Sequence, residues 1–260
     1  MSEKIIQPLY NGEVKIVFYP ESHRYKLDGE KTYLVSVTAA TGILDKSRVL
    51  IPWAVGLAGQ HLREYLEDAK TNQFTREELY PVIEEALKQH EIKKEKAANV
   101  GSKVHDWVER FAIACLNDTE RPEINDIDDE QVLLGINAFV EWFNAHSVKF
   151  HATERLLFSR EFEYAGITDA VAEIDKKKYL IDYKTSKGIY SEMYYQVAGY
   201  WKAYEEETKD ELAGAIILKF GKEDGNFETK EFTREDLQKN FEIFAACLAI
   251  KKREKELYRK

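Results

Sequence analysis

Cysteine is scarce: the 260 residues include two, Cys115 and Cys247. Two thiols build no disulfide framework, and they cannot supply the four thiolates of an all-cysteine iron–sulfur cluster. Both lie among apolar residues in helical patterns and read as small core residues, suited to a reducing, cytoplasmic compartment. Long hydrophobic runs are also missing. None approaches the roughly 18 residues a membrane helix needs, so no membrane partner is expected. Met1 to Tyr10 lacks the basic-then-apolar pattern of a signal peptide, which argues against export. There are no internal repeats and no low-complexity linkers. With 44% hydrophobic and 33% charged residues, the composition is that of a globular chain with a sizeable core.

An overall basic surplus is absent as well. The net charge of −9 argues against a polyanionic partner, because phosphate binding favours basic surface. The charge is uneven, however. Asn117 to Glu130 holds seven acids against one Arg, a balance of −6. Lys176 to Lys187 holds five Lys against one Asp, and Lys251 to Lys260 six basic residues against two Glu, a balance of +4 in each. A solvated face is the ordinary explanation for such runs. The Lys176 run differs in surrounding the motif described below.

The periodicity predicts strands and helices in a definite order. Lys15 to Tyr19 alternates like a strand. Arg24 to Leu27 and Thr32 to Val37 read as a hairpin closed by Asp28-Gly29, and a short helical segment follows to Leu44. Pro52 opens a helix over 53–69. Thr75 and Glu78 form a capping box, and Pro81 is placed to kink or divide the helix that follows. Further helices are predicted over 97–116 and 129–145. Strands follow over 153–164, 167–175 and 178–185, then a helix over 192–204, strands over 213–220 and 227–232, and a C-terminal helix from Thr233. The expected fold class is α/β, a mixed central sheet flanked by helices, with a largely helical N-terminal half.

Gly166 to Asp175, Lys176 to Lys178 and Tyr179 to Thr185 carry the chemistry. A tight turn at Lys176-Lys177 would set Asp169 opposite Lys184, with Asp182 as its diagonal neighbour at ~7–8 Å. Alternation puts Leu180, Asp182 and Lys184 on one face. Two such carboxylates can chelate a hard cation, and a neighbouring Lys can hold water or stabilise phosphate charge. The Tyr183 carbonyl, between Asp182 and Lys184, is a further candidate ligand. A surface salt bridge is the plainer explanation of the same residues.

Gly101-x-x-x-His105, Gly166-x-x-Asp169, Asp182-x-Lys184 and Gln196-x-x-x-Tyr200 occur in that order on predicted helix, strand, strand and helix. The ordered set resembles the PD-(D/E)XK nuclease superfamily, in its RecB-like branch. Ser36 to Thr38 and the helix bearing Trp53 extend the likeness toward the mitochondrial genome maintenance exonuclease and related phage and bacterial exonucleases. Thr168 departs from the apolar residue usual before the motif Asp.

The resemblance implies a restriction-endonuclease-like core over 97–260 and an N-terminal region over 1–96 that guides DNA ends or single strands. It implies Asp169, Asp182, His105 and the Tyr183 carbonyl as ligands of magnesium or manganese, without an iron–sulfur cluster. Lys184 would activate water, Gln196 and Tyr200 would orient the Lys or contact DNA, and Glu154 and Gly101 would support the site. The activity implied is a metal-dependent DNA exonuclease in repair or recombination, with a recombination or replication protein as a further partner. A structure-specific or restriction-type endonuclease and a decayed nucleic-acid-binding module are the alternatives. Lys176, Lys177, Lys178 and Lys187 are expected to contact DNA beside the site, with the acidic stretch at 117–130 lying away from it. Trp53, Tyr65 and Trp107 are expected in the core, with base stacking as the alternative. His23, His61, His90, His146 and His151 show no ligand spacing.

Overall fold

A computed structural model describes residues 4–69, 71, 73–125 and 127–258. The chain forms two compact units, residues 45–102 and residues 1–44 with 103–260. This division departs from the expected boundary at residue 96, because the N-terminal strands belong to the unit that holds the sheet.

In the larger unit, β1 (Ile5–Leu9), β2 (Val14–Tyr19) and β3 (Arg24–Leu27) make an antiparallel sheet. Asn11 and His23 take positive φ in the two connections. Leu9, Ile16, Phe18 and Tyr25 pack on Leu156, Phe158 and Ala165. The predicted hairpin over 24–37 forms only in part: the Glu30 amide donates to the Leu27 carbonyl at 3.1 Å and the Leu34 amide to the Tyr25 carbonyl at 2.7 Å, without a continuing ladder. The ladder of β3 is with β2, and β4 (Val35–Ser36) joins the second sheet. The alternation of Arg24 to Leu27 was a sound strand signal, but it could not say which partner the strand would choose.

The second sheet has the order β4-β6-β7-β8-β9, with β5 paired to β6. Its strands are β5 (Val148–Ser159), β6 (Tyr164–Ile174), β7 (Lys177–Lys184), β8 (Gly214–Phe220) and β9 (Phe227–Thr233). β7 and β8 are parallel, and α5 (Ser191–Thr208) crosses between them. The α/β class with a mixed sheet is as expected. Leu180, Val171, Val197, Trp201, Ile217 and Phe244 form a core between the sheet, α5 and α6 (Arg234–Leu257). On the other face, Phe139 of α4 (Glu130–Ala145) meets Tyr183 and Phe220 edge-on at 6.3 and 5.5 Å. Asp129 caps α4 by accepting from the Gln131 and Val132 amides. α1 (Val37–Thr41) is capped by Ser36, whose Oγ accepts from Ala39 N at 3.0 Å.

In the smaller unit, α2 (Ser47–Asp68) begins five residues earlier than Pro52 suggests, because Asp45 Oδ1 accepts from Ser47 N at 2.8 Å. The Thr75–Glu78 capping box opens α3 (Arg76–Asn117), which runs unbroken through Pro81. Among the described residues no helix is long and apolar enough to cross a membrane.

Candidate active site

β6 runs beside β5 along one edge. Its other edge is shared: β4 takes Tyr164 and Ala165, and β7 takes Ala170 to Ile174. Gly166 to Asp169 therefore have no ladder partner on that edge, and side chains take over. Thr168 Oγ1 donates to the Ile181 carbonyl at 3.3 Å, and the Tyr183 amide donates to Asp169 Oδ2 at 2.5 Å. Thr168, the departure from the usual apolar residue, is fully buried and bonded here.

The register differs from the expected one by two residues. Ile174 pairs with Lys177, so the turn is Asp175-Lys176, both with positive φ, rather than Lys176-Lys177. Continuing the ladder past Ala170–Ile181 sets Asp169 level with Asp182, not with Lys184. Glu154 of β5 lies level with Asp169 on the other side, between the pairs Thr153–Ala170 and Arg155–Thr168. Its φ of 44° breaks the strand alternation there. Three carboxylates thus stand in a row across three strands.

Asp182 is 3% exposed. Lys184 Nζ lies 2.5 Å from its Oδ2, yet that oxygen accepts no hydrogen bond of regular geometry. Burial raises the Asp182 carboxyl above the usual range; Lys184 opposes this and Asp169 reinforces it. Burial would lower Lys184, but Asp182 and Asp169 outweigh it and hold the ammonium above its ordinary value. The pair is therefore an ammonium held among carboxylates. Burial, then the charges of Asp169, Glu109 and Asp106, push Glu154 up to about 8, although the residue as a whole stays exposed.

Glu109 and Asp106 are acids that the sequence motifs did not single out. Burial first, then Asp106 and Asp169, raise Glu109. Glu109 stands four residues after His105 on α3, so their shared helical face was a signal available in the sequence. The His105 ring meets Tyr183 edge-on at 6.1 Å. Gly101 lies buried one turn earlier on α3.

Tyr200 is buried, and its phenol is driven well above its usual range by burial and by Asp182 and Asp169. Gly166 makes room for it: a Cβ there would lie 2.6 Å from Tyr200 Cε1. The Gln196 amide donates to Thr41 Oγ1 of α1 at 3.0 Å.

The lysine expectation is corrected in part. Lys176 and Lys177 sit at the turn end of the hairpin, and Lys177 is five residues from Asp182 along β7, ~17 Å at ~3.3 Å per residue. Lys178 pairs with Asp210 at 2.7 Å. Only Lys187, paired with Glu223 at 3.2 Å, follows β7 at the Lys184 end. The acidic stretch is not remote either: Asp128 and Asp129 share a cavity with Lys103 and Asp106 of α3. Asp126 lies outside the described residues. Trp107 is buried and donates to the Glu123 carbonyl at 3.1 Å, as a core residue does. Tyr65 packs on Phe74, whereas Trp53 is 38% exposed, against the core expectation.

Among the described residues no three His, Cys, Asp or Glu side chains are arranged to hold a metal ion. The donor chemistry nevertheless suits a hard cation, since crowded carboxylates include a buried oxygen without a regular hydrogen bond. No family model matches the chain, and no curated protein matches it.

Proposed function

We propose that this chain is a magnesium- or manganese-dependent nuclease that hydrolyses phosphodiester bonds of DNA, as an exonuclease at ends or on single strands. One observation carries the reading: buried Asp182 stands level with Asp169 and against Lys184, at the point where β6 and β7 part. Burying a carboxylate costs several kcal/mol unless it is compensated, and clustering acids adds to that cost. A polyanion-cutting site, which needs a cation between carboxylates and phosphate, accounts for the arrangement better than a surface salt bridge, because Asp182 is not at the surface.

In this reading Asp169, Asp182, the Tyr183 carbonyl and His105 hold the cation. When bound, a hard divalent ion polarises the phosphate and lowers the pKa of water. Lys184 keeps its positive charge and offers it to the attacking water or the phosphate oxygens. Tyr200 stays protonated and walls the acids on the α5 side. Gln196, through Thr41, positions α1 against α5 rather than acting on the Lys. Free Cys115 and Cys247 accord with a reducing cytoplasm.

The test is an assay on end-labelled linear and circular single-stranded DNA. Magnesium should support digestion of the linear strand, EDTA should abolish it, and the circle should resist. Asp182→Ala should lose cleavage and weaken calorimetric binding of calcium, whereas Lys184→Ala should lose cleavage alone. Cleavage that persists in EDTA rejects the metal mechanism, and cutting of the circle makes the protein an endonuclease.

A further inference from the structure

We infer that the outer face of the N-terminal sheet is a second binding platform for single-stranded nucleic acid, built from Tyr19, Arg24, Lys26 and Tyr33. For its role as a strand anchor it rests on the nuclease reading; its ligand chemistry stands on the surface itself.

β2 and β3 pair Phe18 with Tyr25 and Tyr19 with Arg24. Phe18 and Tyr25 face the core, so alternation turns Tyr19, Arg24 and Lys26 to the other face. Tyr33, between β3 and β4, leans onto that face with its ring 5.9 Å from that of Tyr19 and nearly perpendicular to it, at 79°. Arg24 Cζ stands 5.2 Å over the Tyr33 ring, and Lys26 Nζ 5.8 Å over the Tyr19 ring. Tyr33 is 38% exposed. Among the described residues neither Arg24 nor Lys26 has a carboxylate within ion-pair distance. Their charge is held on aromatic faces and left open to an anion.

Aromatic faces interleaved with cations are the chemistry that takes unpaired bases and their phosphates together. The basic end of the C-terminal helix extends the same surface. Lys252 and Lys255 line a cavity of about 430 Å³ that has Tyr33 on its wall. Lys255 donates to the Tyr33 carbonyl, and Lys252 pairs at 3.2 Å with Glu163, an exposed partner that solvent screens. Glu30 and Glu256 also line the cavity, so the platform rather than the cavity carries the anion contact.

β4 seats Val35 beside Tyr164, five residues before Asp169 on β6, ~17 Å at ~3.3 Å per residue. Roughly five nucleotides at ~3.4 Å each would span that distance. The platform therefore lies within reach of a strand whose end is at the acids, and it explains how a chain of net charge −9 can hold a polyanion.

Fluorescence anisotropy of a labelled single strand of about twenty nucleotides, in EDTA to prevent cutting, tests the inference. Tyr19→Leu with Tyr33→Leu should weaken binding about tenfold, as expected for loss of base stacking, while Tyr19→Phe with Tyr33→Phe keeps it. Arg24→Gln with Lys26→Gln should make the slope of log affinity against log salt shallower by about 1.4, at ~0.7 per phosphate. Circular dichroism melting identifies any variant that has lost its fold. A folded Leu pair with unchanged affinity overturns the inference, as does a Phe pair that loses as much as the Leu pair, or a wild-type chain that does not bind. A wild-type chain that cuts nothing in magnesium, while the platform variants still weaken binding, removes the nuclease reading and leaves the platform standing.

Discussion

Replacing Lys184 by Met removes the ammonium from Asp182 and keeps most of the side-chain volume. The Asp182 side chain is 4% exposed and that of Lys184 21%. Breaking a buried pair from one side costs ~3–5 kcal/mol, and the partial exposure of Lys184 places this case near ~3 kcal/mol. For a chain of this size that corresponds to a fall in melting temperature of roughly 6–12 °C. The loss must depend on pH. The folded-state pKa of Asp182 is already raised, and Lys184 is the largest influence that opposes the rise. In the variant it climbs further, so the carboxyl is taken up protonated in mild acid and the loss is small there. As pH rises toward the folded pKa the cost of the bare carboxylate grows, and it is complete above it. Calcium should recover more stability in the variant than in the wild type, because the ammonium no longer competes for Asp182 Oδ2, and ligand that binds only the folded state adds RT ln(1 + [L]/Kd). Differential scanning fluorimetry at pH 5 and pH 8, with and without calcium, measures all three effects. A loss equal at both pH values, or no extra rescue by calcium, would refute the reasoning that Lys184 neutralises Asp182 in the cation-free protein.

Two further outcomes follow from packing and charge. Gly166→Ala should destabilise by ~1–3 kcal/mol, because its Cβ would strike the Tyr200 ring, and Tyr200→Leu in the same chain should recover much of that; additive losses in denaturant melts would show that the ring is not the obstacle. Glu154→Gln should raise the melting temperature in the absence of cation, with a gain that starts near the ordinary carboxylate range and grows until pH passes about 8; a gain independent of pH would mean that Glu154 is not held protonated by burial and its acidic neighbours.

Local pattern carried much of the architecture. The helical pattern of α4, the capping box at Thr75 and the strand signals of β8 and β9 depend on residues within a few positions of one another, and the structure keeps them with ends shifted by a residue or two. The face shared by Asp169, Asp182 and Lys184 was equally legible, because strand alternation is indifferent to which neighbour the strand finds. The two-residue slip at Asp175-Lys176 preserves that alternation, since only an odd slip reverses the faces.

What the sequence could not decide is which segments meet. The turn at Asp175-Lys176 leaves Lys176 and Lys177 most of a strand away from the acids, and nothing local distinguished it from a turn at Lys176-Lys177. The pairing of β3 with β2 put Tyr19 beside Arg24, and Tyr33 lies against Tyr19 from the connection between β3 and β4. Gln196 has the spacing of a site residue and bonds Thr41, 155 positions away. Glu109 and Glu154 join the acids only because α3 and β5 are brought to the place where β6 leaves β7 for β4. Side-chain periodicity is fixed by backbone geometry and can be read from the order of residues. Which surfaces are buried together, and so which charges are forced into one another's field, depends on the packing of the whole sheet.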